Sequence, residues 1–222
     1  MAFTMPSLMQ RLMRPFSQST MRFGPEGGAA NVPDSAQKCT VAAGCFWGVE
    51  HMYRKQFKDA LYDARVGYIG GDTKSPSYRA VCTGRTGRKN TQNTSMGVAA
   101  NVCPDAEALQ ISYDPDKVTY RQLIEFLYKM HDPTTANRQG PDVGSQYRSG
   151  IFFHNEEQEQ IAKDITDKVQ KEWWKNGKIA TQILPAAEWW DAEDYHQKYL
   201  DVNPGGYECP SHFLRSFPPL SS

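Results

Sequence analysis

Apolar positions recur along this chain in two rhythms, and the switches between them mark out its elements. Thr40-Val41-Ala42-Ala43 is a short apolar run entering Gly44, which predicts a strand, and the residues after Cys45 continue as a helix. Val66 to Ile69 predicts a second strand, ended by Gly70-Gly71. Leu109, Ile111 and Tyr113 alternate with Gln110, Ser112 and Asp114, the period of a half-buried strand, and a turn follows at Asp114-Pro115. Thr119 with Gln122 three residues later is a capping box. The helix it opens carries Tyr120, Leu123, Ile124, Leu127 and Tyr128 on one face and stops at Asp132-Pro133. Ser149 to His154 predicts another strand. Asn155 then caps a helix with Ile161, Ile165, Val169 and Trp173 on its buried side, closing at Asn176-Gly177, and Ile179, Thr181 and Ile183 predict a further strand. Strands and helices alternate, with one long helix available to cover a sheet, so the expected fold class is α+β in two layers.

Two segments break the rhythm. From about 84 to 105 the chain has glycines and the polar run Asn90 to Thr94 but no periodicity, which predicts a long surface insertion, locally basic through Arg85, Arg88 and Lys89. The first 25 residues hold Arg11, Arg14 and Arg22 and no acidic residue before Glu26. Met5, Leu8, Met9, Leu12 and Met13 recur there at helical spacing, the pattern of a mitochondrial targeting segment, with a simple tail as the competing reading. Residues 1–35 are thus expected to be tail and linker, and 36–222 one domain; a mitochondrial or cytoplasmic location, or both, is expected.

Composition narrows the function classes. With 25 basic and 25 acidic residues the chain is formally uncharged, which argues against nucleic acid as an electrostatic partner. No apolar run is long enough to span a membrane, and no membrane partner is expected. Five cysteines without tight spacing do not form a disulfide framework, and free thiols are the expectation. No C-x-x-C or H-x-x-x-H spacing occurs, so no metal is expected.

The chemistry begins at Gly44-Cys45-Phe46-Trp47-Gly48. A cysteine between a strand and a helix start faces the positive end of the helix dipole, which favours the nucleophilic thiolate. Phe46 and Trp47 are placed to wall an apolar pocket suited to a substrate whose reacting atom carries an alkyl group. A buried structural cysteine with two core aromatics is the plain alternative.

These five residues resemble the motif around the nucleophile of A-type peptide methionine sulfoxide reductases. Val66 to Gly71, Ser77-Tyr78-Arg79, His131 to Thr134, Gln139 to Asp142, Gln146 to Gly150 and Ala192 to Gln197 resemble further motifs of that family, in family order, over roughly 38 to 212. The resemblance implies a mixed sheet with a ferredoxin-like core and no cofactor. It implies that Cys45 attacks the sulfoxide sulfur and is left as a sulfenic acid, with Glu107 as the acid that protonates the departing oxygen. It implies that Tyr78 and Tyr147 hydrogen-bond that oxygen and that Asp142 helps hold the substrate. It also implies a second thiol that condenses with the sulfenic acid, giving a disulfide for thioredoxin to reduce. Cys209, after Asn203-Pro204-Gly205-Gly206-Tyr207 in a recycling tail from about 203, is the leading candidate, and Cys103 in the insertion is the rival. Cys39 and Cys82 are expected to be structural, and His131 and His196 to support the site or close helices.

One departure is plain. The family connection Thr-Gly-Asp-Thr-Gly-His-Ala-Glu is replaced by Thr83-Gly84-Arg85-Thr86-Gly87-Arg88 and the insertion, so that Arg88 stands at the family's histidine and Glu107 is reached across a gap. Two other classes compete with the reductase. A cysteine hydrolase would need a histidine base and no reductant, and an aromatic peptide-binding module would bind normally without Cys45.

Overall fold

The computed structural model describes residues 32–87 and 104–221. The N-terminal segment, Arg88 and Cys103 lie outside them. Chain order is β1 (Gln37–Ala43), α1 (Phe46–Gln56), β2 (Leu61–Ile69), α2 (Tyr78–Cys82), β3 (Ala106–Tyr113), α3 (Tyr120–Met130) and the hairpin strands β4 (Arg138–Gln139) and β5 (Asp142–Val143). After a 3-10 turn at Ser145–Tyr147 come β6 (Ser149–Phe153), α4 (Glu156–Glu172), β7 (Gln182–Pro185), β8 (Trp189–Asp191) and α5 (Tyr199–Val202).

The main sheet runs β7-β6-β1-β3-β2-β8. Its inner four strands pair antiparallel throughout, and with α1 and α3 as the crossovers they make the ferredoxin-like βαββαβ core in an α+β fold. β7 joins one edge parallel to β6, and β8 joins the other antiparallel to β2, so the sheet is mixed. Side chains alternate across it. Cys39, Val41, Ala43, Val66, Tyr68, Leu109 and Ile111 share one core with Phe46, Val49 and Tyr53 of α1, Leu123 and Leu127 of α3, and Ile165 and Val169 of α4. The opposite face holds the smaller cluster of Ala42, Ile69, Ala106, Ala108 and Phe152, against which Leu184, Ala186 and Trp189 pack.

Local signals hold up well where they are strong. The Thr119–Gln122 capping box is formed in both directions, and the expected face of α3 is buried. Other expectations are corrected. β3 is buried on both faces, with Gln110 at 3% and Ser112 at 2% exposure, because strands flank it on either side and each face is covered. β2 starts five residues before the predicted Val66, and α4 ends at Glu172, short of Asn176-Gly177. The ends of the predicted insertion are anchored instead of lying loose on the surface. Thr86 Oγ1 accepts from the Asp105 amide at 2.8 Å, Asp105 Oδ1 accepts from the Gly71 amide at 2.8 Å, and both residues are buried.

Candidate active site

The turn from β1 into α1 sets the position of Cys45. Gly44 has φ +91°, a conformation L side chains rarely adopt, and a Cβ there would stand 2.5 Å from that of Gln139. Cys45 is the N-cap of α1 and is 7% exposed. Across the site, the period-2 alternation of β3 turns Glu107, opposite Tyr68, to the helix-covered face. The Phe46 amide, first in the helix, donates to Glu107 Oε2 at 3.2 Å, while Glu107 Oε1 is buried and receives no hydrogen bond. Burial pushes this carboxyl up to about 8 against the pull of the Phe46 amide, and the nearby Asp142 adds to the rise. At neutral pH Glu107 is therefore mainly a neutral acid. Its free oxygen, Oε1, is the place for the proton.

The expectation of a dipole-activated thiolate is corrected. Burial pushes the Cys45 thiol well up, Glu107 adds to it, and the Trp47 amide works the other way without prevailing. A helix N-terminus offers only partial charge, and a sulfur almost removed from water loses more by desolvation than that charge returns. The resting nucleophile is a thiol beside a neutral carboxylic acid.

Tyr78 opens α2 and Tyr147 closes the 3-10 turn. Burial, with the neighbouring Glu107 adding to it, raises both phenols, so both remain proton donors. Phe46 is 1% exposed and Trp47 half-buried. Behind them stands a support from the Ala192–Gln197 motif, in which His196 is expected to support the site and Glu193 has no assigned role. Glu193 accepts from the Tyr78 amide at 2.9 Å and from the Tyr68 hydroxyl at 2.8 Å. His196, 2% exposed, accepts the Trp47 indole N–H on Nδ1 at 3.0 Å, and its ring lies 5.1 Å from Phe46 and 4.7 Å from Tyr78. Burial lowers His196, consistent with a neutral ring accepting on Nδ1. Tyr199 stacks on Trp47 at 3.7 Å. His131 instead closes α3, bonded to Leu127 O and Ser149 Oγ, and burial lowers it to about 3.

Asp142 and Cys209 adjoin Cys45 from the β4–β5 hairpin and the C-terminal tail. Asp142 Oδ1 accepts from the Tyr207 hydroxyl at 2.8 Å, and its Oδ2 is buried without a partner. The Cys209 thiol, 1% exposed, donates to Gln139 O at 3.5 Å and is pushed up to about 11 by burial and then by the nearby Asp142. Asp142 and Cys209 both bear on the Cys45 thiol, so nucleophile, acid, tyrosines, carboxylate and tail cysteine form one site. Cys39 is a core residue as expected. Cys82 is not: it is exposed at the end of α2.

The family model described as peptide methionine sulfoxide reductase matches residues 37–94 and 90–216. The chain is 50% identical over 181 residues to the probable peptide methionine sulfoxide reductase of Schizosaccharomyces pombe, covering 81% of this chain and 96% of that one. Among solved structures, Mxr1 of Saccharomyces cerevisiae in reduced form superposes with a TM-score of 0.71 at 44% identity, covering 83% of this chain and 94% of that one. Mxr1 in complex with Trx2 superposes with a TM-score of 0.53 at 32% identity, covering 83% and 93%. With the motifs matched and the fold shared, this chain belongs to the peptide methionine sulfoxide reductase family.

Proposed function

We propose that this enzyme reduces methionine S-sulfoxide, free or within proteins, to methionine, repairing oxidative damage, and that Cys45 carries the chemistry. The observation that carries the reading is the buried Glu107 carboxyl, raised to about 8, bonded to the amide beside Cys45 and left with one free oxygen. A sulfoxide leaves as a sulfide only if its oxygen is protonated as the S–O bond breaks, and a neutral acid at that spot meets the requirement.

In the first step Cys45 Sγ attacks the sulfoxide sulfur while Glu107 gives its proton to the oxygen, and the thiol proton restores Glu107. The bonds from the substrate sulfur to the oxygen and to Cys45 Sγ then break as the hydroxyl oxygen joins Sγ, so that Cys45 is left as a sulfenic acid and methionine departs reduced by two electrons, while Tyr78 and Tyr147 donate hydrogen bonds to the oxygen throughout. Phe46 and Trp47, held by His196, enclose the methyl group, and Asp142 borders the substrate. In the second step Cys209 Sγ attacks the sulfenic sulfur. The S–S bond forms, the S–O bond breaks, and the oxygen leaves as water with the thiol proton. A thioredoxin then reduces the disulfide by thiol exchange, a reading supported by the complex of the yeast relative with Trx2.

The test is an assay with separate R and S epimers of a methionine sulfoxide peptide and thioredoxin as reductant. Product from the S epimer is expected. Product from neither epimer overturns the reading, and turnover that needs no thiol points to a hydrolase.

A further inference from the structure

Gly48 sits inside α1, where glycine gives up backbone entropy and a side chain that would support the helix. Its φ is not among the positive ones, so no turn requires it. What requires it is a ring. A Cβ at Gly48 would stand 2.4 Å from Nδ1 of His212, and one at Gly44 would stand 3.5 Å from Nε2 of the same imidazole. His212 thus lies across both glycines flanking Cys45. Its Nε2 is 2.6 Å from Ala43 O, the last carbonyl of β1, which assigns the Nε2–H as donor, and its Nδ1 is buried without a partner. The His212 amide donates to Cys209 O at 2.9 Å, closing a turn that carries the Cys209 thiol, and the next residue's amide bonds Met130 O at 3.2 Å.

We infer that His212 is a positioning residue for the recycling step: its imidazole pins the Cys209 turn to the backbone that carries Cys45. Residues 203–208 ahead of it are mostly exposed, whereas beyond it the chain is fastened by Arg215 N to Lys129 O at 2.9 Å, Phe217 stacked on Trp173 at 4.9 Å and Trp173 Nε1 to Pro218 O at 2.9 Å. Tyr207, bonded to Asp142, holds the chain ahead of the resolving thiol, and His212 is the nearest fastening beyond it and the one that acts on the nucleophile turn directly. Attack of Cys209 on the sulfenic sulfur requires the two sulfurs to meet in line, and a pinned turn raises the frequency of that encounter. The inference rests on Cys209 being the resolving thiol.

The test uses the reduced full chain with one equivalent of methionine sulfoxide, following methionine release and thiol loss separately. His212→Ala is expected to form methionine within about twofold of the unmodified rate while disulfide closure slows about tenfold or more, the scale of a lost positioning contact. Dimedone should then capture more Cys45 sulfenic acid. His212→Gln, which keeps an N–H near the position of Nε2, should recover part of the closure rate. Gly48→Ala should slow closure in the unmodified chain and add little in His212→Ala, since the two act through one contact. Closure at the unmodified rate in His212→Ala, or equal slowing of both steps, overturns the inference. Cys209→Ser separates it from the reading beneath. A stall after one equivalent with thioredoxin supports the resolver, so a normal His212→Ala then counts against His212 alone, whereas sustained thioredoxin-driven turnover in Cys209→Ser removes the resolver itself.

Discussion

The site turns on what burial does to two groups. Cys45→Ser is expected to eliminate sulfoxide reduction, because a hydroxyl cannot supply the sulfur nucleophile; purified variant held to background in the thioredoxin assay is the measurement. Glu107→Gln should fold and yet slow methionine formation by about 10²-fold or more, since the amide keeps the shape and carries no transferable proton. The pH dependence has a definite sign. Glu107 works in its protonated form and is raised to about 8, so single-turnover methionine formation should be sustained below that pH and fall above it, and this alkaline limb should vanish in Glu107→Gln. Stability carries the same mark. From the ordinary carboxyl value of 4.5 up to about 8 the folded state holds a proton that the unfolded chain releases, so this group's contribution falls as pH rises through that window. Urea unfolding of both proteins at pH 5 and pH 8.5 would show the slope flattened in the variant.

At the scale of elements, the tail and the helix caps act separately. Cys209→Ser should form about one equivalent of methionine in a burst and then stop with thioredoxin as reductant, while dithiothreitol rescues slowly, because thioredoxin attacks a disulfide and finds only a sulfenic acid. If turnover continues, Cys103→Ser in the same chain identifies the rival resolver by stalling it. Far from the chemistry, Thr119→Ala removes one half of the α3 capping box and should cost about 1 kcal/mol of stability by urea unfolding, with the reductase rate unchanged. Elements with strong periodicity or caps, such as α3 and β3, were legible from the sequence. β8, of three residues, and the β4–β5 hairpin were not, since so short a strand has no period of its own and exists because a neighbour offers pairing.

For the whole molecule, the N-terminal 25 residues fused to a fluorescent protein should send part of it to mitochondria, and a chain beginning at Met21 should stay in the cytosol; uniform cytosolic signal from the full segment favours the simple tail. The catalytic fold depends on long-range pairing. β3 brings Glu107 opposite Tyr68 in β2, and the tail returns Cys209 and His212 to the start of α1. α1 is tied in turn to the segment after β8, where Glu50 accepts from the Lys198 amide at 2.7 Å and Trp47 stacks on Tyr199. The adjacent aromatic walls Phe46 and Trp47 are therefore held by supports from a segment far away in the chain.

Local pattern was enough to place Cys45 between strand and helix, to mark Phe46 and Trp47 as its neighbours and to give an α+β class, because each follows from spacing of a few residues. Glu107, Tyr78, Tyr147, Asp142 and Cys209 came only through family resemblance, since an isolated glutamate or tyrosine carries no local mark of its use. The charge states were beyond either source. The helix start at Cys45 pointed to a thiolate, whereas the folded protein holds a thiol, because desolvation depends on what the rest of the chain packs around the sulfur. Glu193 and His212, and the contact through which His196 gives its expected support, became visible for the same reason: they touch Tyr78, the Gly44–Gly48 backbone and Trp47 only once distant segments meet.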